Sequence, residues 1–181
     1  MNMKNICRPE IVLLGAVLGL LSLGATLWLA DYRFNLTPSL PKGVYQLSPE
    51  PVRAGDLVTF CLESTNPFAP LAKERGYLGP GSCPSGLRPL LKKVAGLPGD
   101  RLTISPHGLM VNGRLLPGTA RPDHDHQGRT LPASLLQNGE IPDGQALVLS
   151  QEHSGSFDSR HFGLVPLSSL TKARPILVFN D

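Results

Sequence analysis

The chain has 181 residues and a formal net charge of +3, long enough for one domain with a real core plus an appendage. An apolar fraction of 41% against 17% charged residues excludes a disordered chain, and 19 Gly with 18 Pro point to many turns and few long helices. The weak charge, with no basic cluster among aromatics, excludes nucleic acid as a partner. The expected body is mainly β.

Residues 11–30, IVLLGAVLGLLSLGATLWLA, hold no charge and match the ~20 residues a helix needs to cross a ~30 Å hydrocarbon layer. A cleavable export signal is the competing reading, but its apolar core runs ~7–15 residues and ends on small residues. Here bulky Trp28 would occupy position minus three of a cut after Ala30. A retained single-pass anchor is therefore expected, with Trp28 at an interface. Lys4 and Arg8 ahead of the span place residues 1–10 in the cytoplasm and 31–181 on the outer face, against the weaker opposing pull of Arg33 and Lys42.

Cys7 then lies in a reducing compartment, whereas Cys61 and Cys83 lie in the exported part, where disulfides persist. Two readings stand for that pair. One is a bridge, contributing ~3 kcal/mol through the unfolded chain; the other is two buried thiols.

Beyond the span, residues 31–41 are polar with two prolines and are expected to form a functional loop. Fully extended, the stretch from Ala30 to Ser39 reaches only ~30 Å, so Ser39 works close to the bilayer surface. Short strands are predicted over 44–47, 56–62, 90–95, 101–104, 109–112, 114–117, 144–150 and 174–179, with Gly- and Pro-rich turns between them. Residues 63–87 show no sustained period and are predicted to be an irregular excursion. Tyr45, Phe60 and Phe179 are expected in the core.

Two features could carry chemistry. Ser39 sits on a Pro-flanked turn, "TPSLP", and Lys92 and Lys93 sit side by side on an apolar strand in "PLLKKVAGLPGD". A serine hydroxyl needs a base, and a lysine can be that base when burial lowers its pKa from ~10.4 toward neutrality. Neighbouring strand residues point to opposite faces, so at most one of the two lysines can face Ser39. In the turn that follows, Gly96 and Gly99 are expected to supply unusual backbone angles and Pro98 stiffness.

The "DHDH" run at 123–126, within the loop 117–139, lacks a further clustered ligand and is read as a solvated polar loop, not a metal site. None of the five histidines sits in a strand-turn motif, which ranks a Ser-His-Asp triad below a Ser/Lys dyad. No cofactor is expected.

The ordered segments "TPSLPKGVY", "RAGDLVTF", "LLKKVAGLPGD" and "GSFDSRHFGLVP" resemble the successive boxes of the membrane-bound signal peptidases of the Ser/Lys type. "NLTPSLPKG", the single span and the short length resemble most closely the branch of TraF-type conjugative transfer signal peptidases. The resemblance implies a signal-peptidase-like antiparallel β-sheet catalytic domain. It implies Ser39 as nucleophile and Lys92 as general base, with Lys93 where the family often has Arg.

By the same resemblance, Thr37 joins the Ser39 N–H in the oxyanion hole, Pro38 having no N–H to give. Ser156 and Asp158 match positions near the lysine, where a hydroxyl or a carboxylate could orient its amine, with Asp158 as the orienting candidate and Ser156 in support, and Arg160 is expected to pair with a carboxylate. One departure is "SQEHSG", which replaces the Gly-Asp-Asn-Arg-Asp-Asn type of segment found in ordinary leader peptidases.

The implied enzyme is a serine endopeptidase of the inner (cytoplasmic) membrane with its catalytic domain in the periplasm. Its implied substrate is an exported pilin precursor, with an amine or water accepting the acyl group, so that cyclisation and hydrolysis both stand. The alternatives are a general leader peptidase acting on signal-peptide-bearing proteins, and an assembly component of the transfer system whose chemistry is unused.

Overall fold

The structure, a computed structural model, describes residues 9–37, 39–150 and 155–179. The expectations for Lys4, Cys7, Arg8, Pro38 and most of the "SQEHSG" segment lie outside the described residues. Helix α1, Pro9–Leu29, is apolar on all sides and buries none of its residues against the body. It is long and apolar enough to cross a membrane.

Asp31, with φ of 61°, turns the chain sharply out of α1 into β1, Tyr32–Asn35. The first part of the expected loop is thus a strand, because Tyr32–Asn35 finds a partner in β2, Gly43–Ser48, with Phe34 opposite Val44. Strand β3, Leu57–Phe60, follows. The excursion 63–87 then contains a helix, α2, Phe68–Glu74. Its prolines at 67 and 70 fall at the cap and in the first turn, where a missing N–H is tolerated, so they start the helix instead of breaking it. Phe68, Ala69 and Ala72 form its buried face.

Next come β4, Leu90–Gly96; β5, Arg101–Ser105; β6, Gly108–Val111; β7, Arg114–Leu115; and β8, Gly139–Glu140. The chain ends with β9, Gln145–Leu149; α3, Ser159–Phe162; β10, Val165–Pro166; and β11, Thr171–Val178. One sheet runs β1-β2-β11-β3-β4-β9-β10, the other β7-β6-β5-β8, and every strand pairing is antiparallel.

Strand β9 shows how the core divides. Ala146 and Val148 join the main cluster with Phe60, Phe68 and Phe162, while Leu147 and Leu149 pack with Leu102, Leu109 and Ile141 beneath the smaller sheet. A strand buried on both faces is apolar throughout, as "ALVL" is.

Two expectations change here. Gly99 does take a left-handed φ of 86°, but Gly96 does not, and it instead makes room for a side chain: a Cβ there would lie 2.6 Å from Ile141 Cδ1, which would have to shift. Phe179 is exposed, not core, together with Ile176, Leu177, Phe34 and Leu36. β3 pairs only with Thr171 and Lys172 of β11, whose far end has β2 alone as its neighbour in the sheet.

Candidate active site

Strand β4 settles which lysine is buried. Leu90, Lys92 and Val94 face the main core, and Lys92 is only 2% exposed, while Lys93 is exposed. Burial lowers the Lys92 pKa from 10.5 to about 8; the nearby Arg160 cation adds to this and the Asp158 carboxylate opposes it. Lys92 Nζ donates a hydrogen bond of 2.8 Å to Ser156 Oγ.

Ser39 lies on the connection from β1 to β2, and Asn35 organises that connection. The Asn35 side-chain amide donates to the carbonyls of Thr37, Leu40 and Pro41 at 3.1–3.2 Å, and its Oδ1 accepts from Thr37 N at 3.2 Å and Thr37 Oγ1 at 2.7 Å. Three carbonyl acceptors fix which end of the amide is nitrogen. The single Thr37 hydroxyl proton is therefore committed to Asn35. Tyr45 braces the same loop, its O–H donating to Pro41 O at 2.6 Å.

From the other side, Ser150 Oγ donates to the Ser39 carbonyl, and Ser150 N donates to Asp158 Oδ2 at 3.0 Å. Asp158 caps α3 by accepting from Arg160 N, and forms a two-pronged pair with the Arg160 guanidinium at 2.8 Å, both side chains being essentially inaccessible. Asp158 acts on Lys92 through charge alone. Ser156, not Asp158, makes the hydrogen bond to the amine.

Ser39, Thr37, Lys92 and Ser156 line one cleft of about 790 Å³. A disulfide joins Cys61 to Cys83 and ties down the excursion that forms part of the wall. The "DHDH" run also lines this cleft and is solvated as expected at Asp123, His124 and His126, with Asp125 the exception. The Asp125 side chain is 5% exposed, accepting from Tyr77 Oη at 2.6 Å and Arg129 Nε at 2.7 Å. Burial acts to raise its pKa, and these hydrogen bonds outweigh it and hold the carboxyl below the usual range. Among the described residues, no group of three or more His, Cys, Asp or Glu is placed to hold a metal ion.

Sequence reasoning passed over Asn35, Ser150 and His161. An Asn at the start of a Pro-rich turn is a signal for Asn35; no local pattern marks Ser150. His161 lines the cleft, is 4% exposed and has no partner for Nδ1 among the described residues. Burial lowers its pKa to about 4, which leaves the ring neutral at physiological pH.

Comparison with known proteins shows the family. The family model described as "Signal peptidase, peptidase S26" matches residues 8–178. The chain is 39% identical to the "Conjugal transfer protein TraF" of Agrobacterium tumefaciens (strain 15955), over 96% of this chain and 97% of that one. It is 37% identical to a "Plasmid transfer protein TraF" of Escherichia coli, over 93% and 94% respectively. Among solved structures, a signal peptidase I from Enterococcus faecalis V583 matches with a TM-score of 0.39 and 21% identity, covering 74% of this chain and all of that one.

Proposed function

The chain belongs to the signal peptidase family, peptidase S26, and from that membership we propose a membrane-anchored serine endopeptidase working through Ser39 and Lys92. Ser39 Oγ attacks the scissile carbonyl carbon as the neutral Lys92 amine takes its proton. The tetrahedral oxyanion accepts from Ser39 N–H and from Thr37 Oγ1, the latter after Thr37 turns away from Asn35. Lys92 then gives the proton to the leaving amine, and water or a second amine releases the acyl group. Ser156 aims the Lys92 amine, and Asp158 is a positioning residue, holding Ser150 and Arg160 while its charge moderates the fall in the Lys92 pKa.

The observation that carries this reading is Lys92: a lysine on the Ser39 cleft, 2% exposed, with a pKa near 8 and a hydroxyl 2.8 Å from its Nζ. A lysine kept for solubility would extend into water, as Lys93 does.

The substrate in this reading is an exported precursor, a pilin of a conjugal transfer system, in line with the transfer role in the names of the relatives. Helix α1 anchors the enzyme in the inner membrane and the body stands in the periplasm. The exposed Phe34, Leu36, Ile176 and Leu177, joined across β2 through Val44, would rest at the bilayer surface beside the span.

Co-expression of a candidate pilin precursor with wild type, Ser39→Ala, Lys92→Ala and Lys93→Ala, read by product mass, tests the reading. Processing is expected to stop with the first two variants and continue with Lys93→Ala. Product mass also distinguishes hydrolysis from cyclisation by one water. Processing by Ser39→Ala or Lys92→Ala would sink the dyad, and cleavage of unrelated exported reporters would make the enzyme a general leader peptidase. Transfer that survives Ser39→Ala would make the chain an assembly component.

A further inference from the structure

Besides Ser39 and Lys92, the same cleft is lined by four guanidinium groups, those of Arg75, Arg88, Arg121 and Arg129. Asp125 is the single carboxylate among the described lining residues, and it is already engaged by Arg129, Arg75 and Tyr77, which leaves Arg88 and Arg121 without a carboxylate from that lining. For a chain whose whole net charge is +3, this concentrates positive charge in one concavity, where low-dielectric walls focus the field.

The arginines are held by the fold. Arg75 donates to Thr130 O at 3.0 Å, and Arg129 Nη2 to Arg75 O at 3.3 Å. Arg88 is exposed, stands on the ladder closed by the Arg88 N to Gly79 O bond, and packs over Gly79, where a Cβ would come within 3.4 Å of its Nη2. Cys83, paired with Cys61, belongs to the same ladder through its N–H bond to Leu87 O.

Arg121 is the sharpest case. Its Nη2 donates to the Pro132 carbonyl and the Asp123 carboxylate acts on it through charge alone, yet its Nε–H is buried with no hydrogen-bond acceptor among the described residues. A buried cationic donor without an acceptor is costly, and a guanidinium fork is matched by the two oxygens of a carboxylate.

We infer that this arginine-lined cleft carries a subsite for a carboxylate of the substrate peptide, either an Asp or Glu side chain or the free chain terminus, with Arg121 and Arg88 as its ligands. The inference builds on the peptidase reading, since it takes the chain in the cleft to be the one presented to Ser39.

The test uses full-length Ser39→Ala protein in non-ionic detergent and fluorescently labelled decapeptides of Gly, Ala and Ser. One carries a central glutamate and an amidated terminus, a second a glutamine and an amidated terminus, and a third a glutamine and a free terminus. The glutamate or the free-terminus peptide is expected to bind at least ~10-fold tighter than the amidated glutamine peptide. Which of the two does so assigns the source of the carboxylate. The preference should shrink as salt rises from about 50 to about 500 mM. It should fall away with Arg121→Gln and with Arg88→Gln, the latter being an exposed site where folding is not at risk, and persist with Lys93→Ala.

Equal binding of all three peptides would overturn the inference, and so would a preference untouched by both arginine substitutions. Because binding is read on a Ser39→Ala background, the result is independent of the dyad. Equal binding alongside Ser39-dependent processing would sink the subsite alone, whereas a carboxylate preference in a protein that processes without Ser39 would sink the dyad alone.

Discussion

Lys92 Nζ and Ser156 Oγ lie 2.8 Å apart although 64 residues separate them in the chain. The contact joins a central strand to the turn ahead of α3, so the amine is held by two elements. Its pKa near 8 means that activity should rise tenfold per pH unit below that value and level above it. Initial rates from about pH 6 to about pH 10 check this. Lys92→Arg, always protonated, should be inactive throughout, and Ser156→Ala should lower kcat by roughly 10- to 100-fold.

The same burial makes Lys92 a stability liability. With a pKa of about 8 in the folded protein against 10.5, the native state binds fewer protons than the unfolded chain between those values, so stability rises with pH across that window. At pH 7 the full penalty is present, about 3 kcal/mol. Lys92→Met should therefore be inactive yet more stable by up to that amount at pH 7, and should lose the rise between pH 8 and 10.5. Chemical denaturation at several pH values measures both.

Asn35 holds three carbonyls of the Ser39 loop with one side chain. Asn35→Ala should lower kcat at least ~10-fold and cost about 2–3 kcal/mol through the unsatisfied groups it leaves. Asn35→Asp should fail equally, since a carboxylate cannot donate to those carbonyls. Activity in Asn35→Asp comparable to wild type would show that bulk alone shapes the loop.

Removing the Asp158 charge leaves the Arg160 guanidinium, which is 1% exposed, with carbonyl acceptors but without its carboxylate. Asp158→Asn should cost about 3–5 kcal/mol and lower the melting temperature by roughly 10 °C. The double change Asp158→Leu with Arg160→Met should cost less than Asp158→Asn alone, because no buried charge is left unpaired. Calorimetry of the two variants tests the order.

Much of this was legible from local pattern. The alternation in "LLKKVAG" shows one buried and one exposed lysine, and the charge-free run at 11–30 matches α1 within two residues at each end. What stayed hidden depended on partners far along the chain. Tyr32–Asn35 is a strand only because Gly43–Ser48 lies beside it. Ser150 meets Ser39 across 111 residues. Within an otherwise exposed run, the Asp125 side chain alone is covered, by Tyr77 and Arg129, and no spacing within "DHDH" records that. The prolines around α2 misled for a different reason: they mark helix starts as well as breaks, and only packing of Phe68, Ala69 and Ala72 decides between them.

Strand β4 is clamped by backbone pairing on both sides, Lys92 opposite Val58 on β3 and Lys93 opposite Leu149 on β9. A slip of one residue exchanges the faces of a whole strand. Here that exchange would put Lys93 in the core and Lys92 in water. The identity of the buried amine is thus written in the hydrogen-bond register and in neither lysine. Deleting a single residue from the turn 53–56 or from the segment just before Leu90 could remove the base while leaving both lysines in the sequence.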